Sequence, residues 1–373
     1  LQFLISPEGI MAQPRLRVGI IGATGMVGQR FLTLLENHPW FTVTLVAASA
    51  SSAGKTYAQA VAGRWLLETP VPEAMKTLVV QDASRVSEIA PHVDFVFCAV
   101  DMPKADIMAL EEAYARAETP VVSNNSAHRT TPDVPMIIPE VNPEHALVIA
   151  AQRKRLGTNV GFIAVKPNCS IQSYVPLLHP LREFGLKAVS VCTYQAISGA
   201  GKTFQTWPEM VDNVIPFIKG EDEKSEAEPM KIWGTLNGGG IENAVLPRIG
   251  AQCIRVAASD GHLAAVSVNF EHKPTADEVL ARWKSFEGEP QRLHLPSAPT
   301  PFIHVFDEPD RPQTRLDRDL GKGMAVSAGR LRPDALFDWK FVGLSHNTVR
   351  GAAGGAVLTA ELLAAGSYLL PKK

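Results

Sequence analysis

The chain is short of cysteine, of net charge and of long apolar runs, and each shortage closes a class of function. Only four cysteines occur in 373 residues (Cys98, Cys169, Cys192 and Cys253), and no two form a C-x-x-C pair. That spacing argues against a disulfide framework or a zinc site, so no metal is expected, and it fits a reducing cytoplasm. The formal charge is −2, which gives no reason to expect nucleic acid or an anionic membrane as partner. No uninterrupted apolar run is long enough to span a bilayer. Leu1 to Ile10 is mildly apolar, but Pro7 and Glu8 interrupt it, and the charged start and cleavage pattern of a signal peptide are missing. Met11 is an alternative start, which makes residues 1–10 an extension or remnant. One further absence is local: no acid occurs from Ala48 to Lys55.

What is present is the composition of a globular protein with a sizeable core, 46% hydrophobic and 20% charged. A chain of this length makes two domains. Up to residue 165, strand and helix signals alternate: strands at 16–21, 42–47, 94–99 and 120–123, helices at 26–35 and 105–117. That alternation argues for a parallel sheet covered by helices. After Cys169 long strand-like segments dominate, at 188–197, 253–257, 263–271, 324–331 and 337–344, which suggests an antiparallel or mixed sheet. Residues Ala258 to Gly261 read as a hairpin turn between two of these strands. The chain closes with a small-residue-rich helical stretch, 347–370, expected to pack back on the first domain. The division is therefore 14–165 completed by 346–373, with 166–345 as the second domain.

Gly22-Ala23-Thr24-Gly25-Met26-Val27-Gly28 follows the first strand and opens the first helix. In that context glycines let backbone approach a pyrophosphate whose charge meets the helix N-terminus. After the next strand, Ser49, Ser52 and Lys55 replace the acid that holds an NAD ribose, and these groups suit a 2′-phosphate, so NADP is preferred. Ser198 to Thr203 resembles the end of a nucleotide hydrolase loop. The full motif needs glycine where Ala196 stands, and a glycine turn near the cofactor, with Ser198 and Gly199, is the better reading. Cys169 lies between an apolar run and a helical pattern, so a thiol is expected at a helix N-terminus, where the dipole lowers its pKa and favours the nucleophilic thiolate. Cys98, Cys192 and Cys253 lie within strand patterns and read as packing residues. At first reading Glu221 to Lys224 is a solvated charge cluster.

Together these pieces resemble aspartate-semialdehyde dehydrogenase, in its archaeal and fungal-like branch. The matching segments are GATGMVGQ from Gly22, ASASSAGK from Ala48, SNNSAHR from Ser123, KPNCS from Lys166, TYQAISGAGK from Thr193, FIKGEDEK from Phe217, IRVAASDGH from Ile254 and HNTVRGAAGGA from His346. They occur in the family's order over almost the whole chain. The resemblance implies an α/β protein: a Rossmann-type dinucleotide-binding domain, and an α+β substrate and dimerisation domain with a mixed sheet. It implies a homodimer or homotetramer that reduces L-aspartyl 4-phosphate with NADPH to L-aspartate 4-semialdehyde and phosphate, the step toward lysine, threonine, methionine and isoleucine.

Residue by residue, the resemblance makes Cys169 the nucleophile and His262 its acid–base partner, facing Arg255 across the expected hairpin. Arg255 binds the substrate α-carboxylate, Gln195 positions the substrate, and Asn168 donates to the acyl phosphate or oxyanion. Glu221 accepts from the substrate amino group, Lys224 with Arg129 holds the phosphoryl group, and Asn347 contacts the nicotinamide carboxamide. Malonyl-CoA reductase shares this chemistry but its substrate has no amino group, N-acetyl-glutamyl-phosphate reductase is a more distant relative, and a non-catalytic dinucleotide sensor has no need of a nucleophile.

Overall fold

The computed structural model describes residues 15–372, so the reading of residues 1–10 and Met11 lies outside the described residues. The N-terminal part forms a six-stranded parallel sheet: β1 (Leu16–Ile21), β2 (Phe41–Ala48), β3 (Val80–Asp82), β4 (Phe95–Cys98), β5 (Val121–Ser123) and β6 (Ile163–Val165), in the order β3-β2-β1-β4-β5-β6. Every residue of β4 is buried, which is why it reads as a continuous apolar run instead of an alternating one. β3 escapes sequence reading because three residues carry no period. α1 (Met26–Leu35) follows β1 and α2 (Lys104–Arg116) follows β4. The order reverses between β1 and β4, and an open parallel sheet binds its ligand at the carboxyl ends of the strands at such a reversal.

The C-terminal part forms a seven-stranded mixed sheet. Its members are β7 (Leu186–Gln195), β8 (Val214–Ile215), β11 (Arg248–Val256), β12 (His262–Phe270), β13 (Ile303–Phe306), β14 (Val326–Pro333) and β15 (Trp339–Ser345). A small hairpin, β9 (Thr235–Leu236) and β10 (Ile241–Glu242), stands apart. The order β13-β14-β15-β12-β7-β11-β8 corrects the expected hairpin at Ala258 to Gly261. β11 and β12 do not pair; β7 lies between them, parallel to β11 and antiparallel to β12. The connection instead crosses the end of β7, and its carbonyls at Ala258 and Ser259 take the N–H groups of Ile197 and Ser198. The local turn residues are right for a hairpin, but central-strand pairing on both sides of β7 satisfies more backbone than two lone arms would.

α3 (Glu221–Ile232) packs against β11, and α4 (Gly354–Ala365) closes the chain. All twelve residues of α4 are buried. Val357, Leu358 and Leu362 share one core with Val18 and Ile20 of β1 and Phe31 of α1. A polar pin holds the helix there: Glu361 accepts from the Ser297 N–H at 3.0 Å and from His38 Nε2 at 2.8 Å. His38 Nδ1 accepts from the Trp40 and Phe41 N–H groups, which puts the ring hydrogen on Nε2.

Strand alternation puts Thr193 and Gln195, Cys253 and Arg255, His262 and Ala264, and Gly343 and Ser345 on one face, because the register sets these positions opposite one another from strand to strand. A short turn, Ser170–Ser173, lies on that face. A side chain at Gly343 would overlap the Ser173 carbonyl. Gly343→Ala is therefore expected to destabilise the fold by about 1–3 kcal/mol through overpacking, read as a lower denaturation midpoint by circular dichroism.

Candidate active site

Cys169 stands where β6 hands the chain to the second sheet. The expected helix N-terminus is there in a shorter form: Cys169 is the N-cap of a 3-10 turn. Ser170–Ser173 is a single 3-10 turn, Tyr174 breaks it at φ −139°, and an α-helical turn, Val175–Leu178, follows and runs on as a 3-10 stretch, His179–Phe184. Asn168 imposes the turn, since its Oδ1 accepts from both the N–H and the hydroxyl of Ser170 at 2.7 Å. The expected lowering of the thiol pKa is overturned. Burial raises it, Glu221 adds to the rise, and Lys166, Arg129 and Arg255 oppose it without prevailing. Lys166 is itself buried beside the thiol, and that burial lowers its ammonium to about 7.

Sγ of Cys169 lies 3.4 Å from Nε2 of His262. His262 is fully buried, and its Nδ1 accepts from the Ala196 N–H at 3.1 Å. The neutral ring therefore carries its hydrogen on Nε2, aimed at sulfur. Burial first, and Arg255 second, lower the imidazole to about 3, so it stays neutral across the ordinary pH range. Arg255 commits one N–H, to the Ala196 carbonyl at 2.7 Å, which leaves the rest of its fork for a planar anion. Gly199 packs against both residues; a Cβ there would stand 3.0 Å from Arg255 Nη1 and 3.2 Å from the His262 ring.

Glu221, the first residue of α3, is the hub of the site. Its carboxylate accepts from Asn168 Nδ2 at 3.0 Å, Gln195 Nε2 at 3.2 Å and Lys224 Nζ at 2.8 Å. Burial alone would raise this carboxyl, but Lys224, Asn168 and Gln195 outweigh it and hold the group ionised. The reading of this stretch as a solvated cluster is corrected for Glu221, which is 8% exposed. Arg129 sits one contact further out, with Nη1 donating to Glu228 at 2.8 Å.

At the carboxyl end of β1, the three glycines of the turn do different work. Gly22 has φ +91°, and a side chain there would overlap the Ala99 carbonyl; one at Gly28 would overlap the Gly22 carbonyl. Gly25 is exposed, and a Cβ there meets only the Gly22 oxygen at 3.7 Å. Internal packing therefore explains two glycines and leaves the third, which N-caps α1 with no side-chain cap, open to a phosphate. Tyr57 and Gln29 brace the turn by donating to the carbonyls of Ala23 and Thr24. In the loop after β2, Ser49 and Lys55 are exposed, while Ser52 is buried beneath it. Gly25, Ser49 and Lys55 thus fit the phosphates of a dinucleotide, whereas the expected contact from Ser52 is not offered by its buried side chain.

Residues 17–149 match the family described as semialdehyde dehydrogenase, NAD binding domain, and residues 178–350 match its dimerisation domain. The aspartate-semialdehyde dehydrogenase of Archaeoglobus fulgidus is 44% identical, over 94% of this chain and 98% of that protein. That of Saccharomyces cerevisiae is 41% identical, over 93% and 97%. The crystal structure of the Candida albicans aspartate-semialdehyde dehydrogenase with NADP superposes with a TM-score of 0.85 at 38% identity, covering 95% of this chain and 100% of that one. The chain belongs to the aspartate-semialdehyde dehydrogenase family.

The residues that the aspartate-semialdehyde dehydrogenase resemblance picks out fall into connected groups. Asn168, Gln195 and Lys224 all reach Glu221, Cys169 reaches His262, and both His262 and Arg255 bond the backbone of Ala196, next to Gln195. Asn347 ties the two turns that roof it: its Oδ1 accepts from the Gly261 N–H at 2.8 Å and its Nδ2 donates to Ser198 Oγ at 2.9 Å. Sequence reasoning missed Lys166, Glu228 and Arg350. Glu228 had a usable signal, because positions 221, 224 and 228 share one helical face. Arg350 had none: its buried pairing with Glu140 and its bond to Gln172 at 3.2 Å join segments distant in sequence. Cys98 and Cys253 are buried packing residues, whereas Cys192 is partly exposed on the other face of β7.

The Arg350 anchor presses Gly351 onto Cys169, where an added Cβ would come within 2.8 Å of the Cys169 Cβ. Gly351→Ala is expected to lower turnover by about tenfold or more through a displaced thiol, with melting changed far less; steady-state rates and thermal unfolding check it. In the free enzyme, alkylation of Cys169 by iodoacetamide is expected to rise with pH through a pKa above the ordinary thiol range. No step near pH 6.5 is expected, because His262 stays neutral. A step there would mean an imidazolium–thiolate pair.

Proposed function

We infer that this chain reduces L-aspartyl 4-phosphate to L-aspartate 4-semialdehyde through a thioester on Cys169, with NADPH as reductant. The observation that carries this reading is Sγ of Cys169 3.4 Å from Nε2 of His262, within the network that Glu221 organises. Sγ attacks the acyl carbon as the thiolate that each turnover regenerates, the carbon–oxygen bond to phosphate breaks with its electron pair on phosphate, and a thioester remains. NADPH, when bound, supplies the hydride. His262 Nε2–H stabilises the negative oxygen of each tetrahedral species, and the carbon–sulfur bond then breaks to release aldehyde and thiolate.

Arg255 takes the α-carboxylate through its free fork, Glu221 the amino group, and Gln195 and Asn168 hold the acyl group between them. Lys224 and Arg129 take the phosphoryl group. For the cofactor, Gly22 to Val27 cradle the pyrophosphate, Ser49 and Lys55 lie toward the 2′-phosphate, and Ser198, Gly199 and Asn347 border the nicotinamide. The absence of an acid from Ala48 to Lys55 supports NADP over NAD. The unit that binds it comprises residues 14–165 and 346–373; residues 166–345 carry catalysis and pairing, as a homodimer or homotetramer in the cytoplasm.

The test is NADP reduction by L-aspartate 4-semialdehyde with inorganic phosphate. Wild type is expected to require phosphate, and Cys169→Ala to be inactive. Arg255→Lys is expected to raise the aldehyde KM by roughly 10–100-fold, the worth of a charged hydrogen bond. Folded wild type without activity would sink the assignment, and NADPH oxidation by malonyl-CoA would then identify the substrate.

A further inference from the structure

We infer that Glu228 is a positioning residue that sets the phosphoryl-binding cation and the nucleophile turn relative to each other; this rests on the role of Arg129 given above. Glu228 lies on α3, 7% exposed, seven residues after Glu221. Its two oxygens are divided. Oε1 accepts from Arg129 Nη1 at 2.8 Å, and Oε2 accepts from the backbone N–H of Asn168 at 2.6 Å, one residue before Cys169. α3 therefore grips Asn168 twice, through its side chain at Glu221 and through its backbone two helical turns later.

The same carboxylate decides how Arg129 presents itself. Arg129 Nε donates to the Lys166 carbonyl at 3.0 Å and Nη2 to the Asn124 carbonyl at 3.1 Å. With Glu228, three of the five N–H groups are used, which leaves one on each terminal nitrogen. Arg129, Lys224 and Glu228 line a common cavity of about 340 Å³. Cys169, His262 and Arg255 do not line that cavity; what links its two cations to the turn before Cys169 is the Glu228 carboxylate, which holds Arg129 with one oxygen and the Asn168 N–H with the other. Loss of that carboxylate frees the guanidinium to roll and leaves the Asn168 amide, in a buried residue, without its acceptor. Phosphate would then meet a disordered fork and a displaced thiol together.

The test uses the full-length protein and inorganic phosphate. Glu228→Gln keeps the shape but offers an N–H to one of two donors. The KM for phosphate in aldehyde oxidation is expected to rise about tenfold or more, the KM for NADP to stay unchanged, and phosphate to protect Cys169 from iodoacetamide at a correspondingly higher concentration. Arg129→Lys combined with Glu228→Gln is expected to cost less than the sum of the two. An unchanged phosphate KM with only a lower melting temperature would overturn the inference in favour of plain structural support. A lower phosphate KM would overturn it too, since Glu228 would then act only as a repelling charge. If Glu228→Gln does not fold, Glu228→Asp, which draws the carboxylate back by one methylene, is read by the same two measurements. Wild type that ignores phosphate would instead defeat the functional reading itself.

Discussion

The site depends on β7 being seated between β11 and β12. Had the chain turned back at Ala258 to Gly261 as its turn residues invite, Arg255 and His262 would face each other and Gln195 would lie elsewhere. With β7 interposed, register brings Gln195 beside Arg255 on one side and next to His262 on the other. The connection that must then cross the end of β7 satisfies its backbone groups against Ile197 and Ser198. The same crossing carries the Ala196 N–H to His262 Nδ1. A topological choice thereby sets a tautomer.

On that platform α3 supplies the charges. Buried ions are costly unless each finds partners, and removing one partner leaves the other uncompensated. Glu221 and Glu228 meet this condition by reaching Asn168, Gln195, Lys224 and Arg129, all groups to which the proposed function gives another task. Lys231 further along the helix donates to the carbonyls of Arg129, Thr131 and Val134, between 2.7 and 2.8 Å. The helix thus clamps the loop that bears Arg129 from two turns. Such a network is rigid because each buried carboxylate in it has several donors, and rigidity beside a reacting group keeps reacting atoms in line.

The two sheets meet at Cys169 and again at the last helix. β6 ends four residues before Cys169, and the turn at Val349–Ala353 presses back on it before α4 enters the core of the first sheet. That turn has a break at Ala352, with φ −141°. Gly351 marks the contact, since no other residue fits against the Cys169 Cβ.

Much of this was legible in the sequence wherever short-range physics decides it. β1 and α1 lie where apolar runs and periodicity put them, and the wider α/β layout followed from alternation. The glycine turn and the family segments pointed to the dinucleotide-binding domain and to the family. Tertiary structure alone decided that the hairpin is split, that Cys169 heads a 3-10 turn with its pKa raised, and that Glu221 is buried. Strand pairing order, burial and the partners of Glu228 and Arg350 depend on contacts between residues far apart in sequence. No local propensity carries that information, because each such contact exists only once the chain has folded around it.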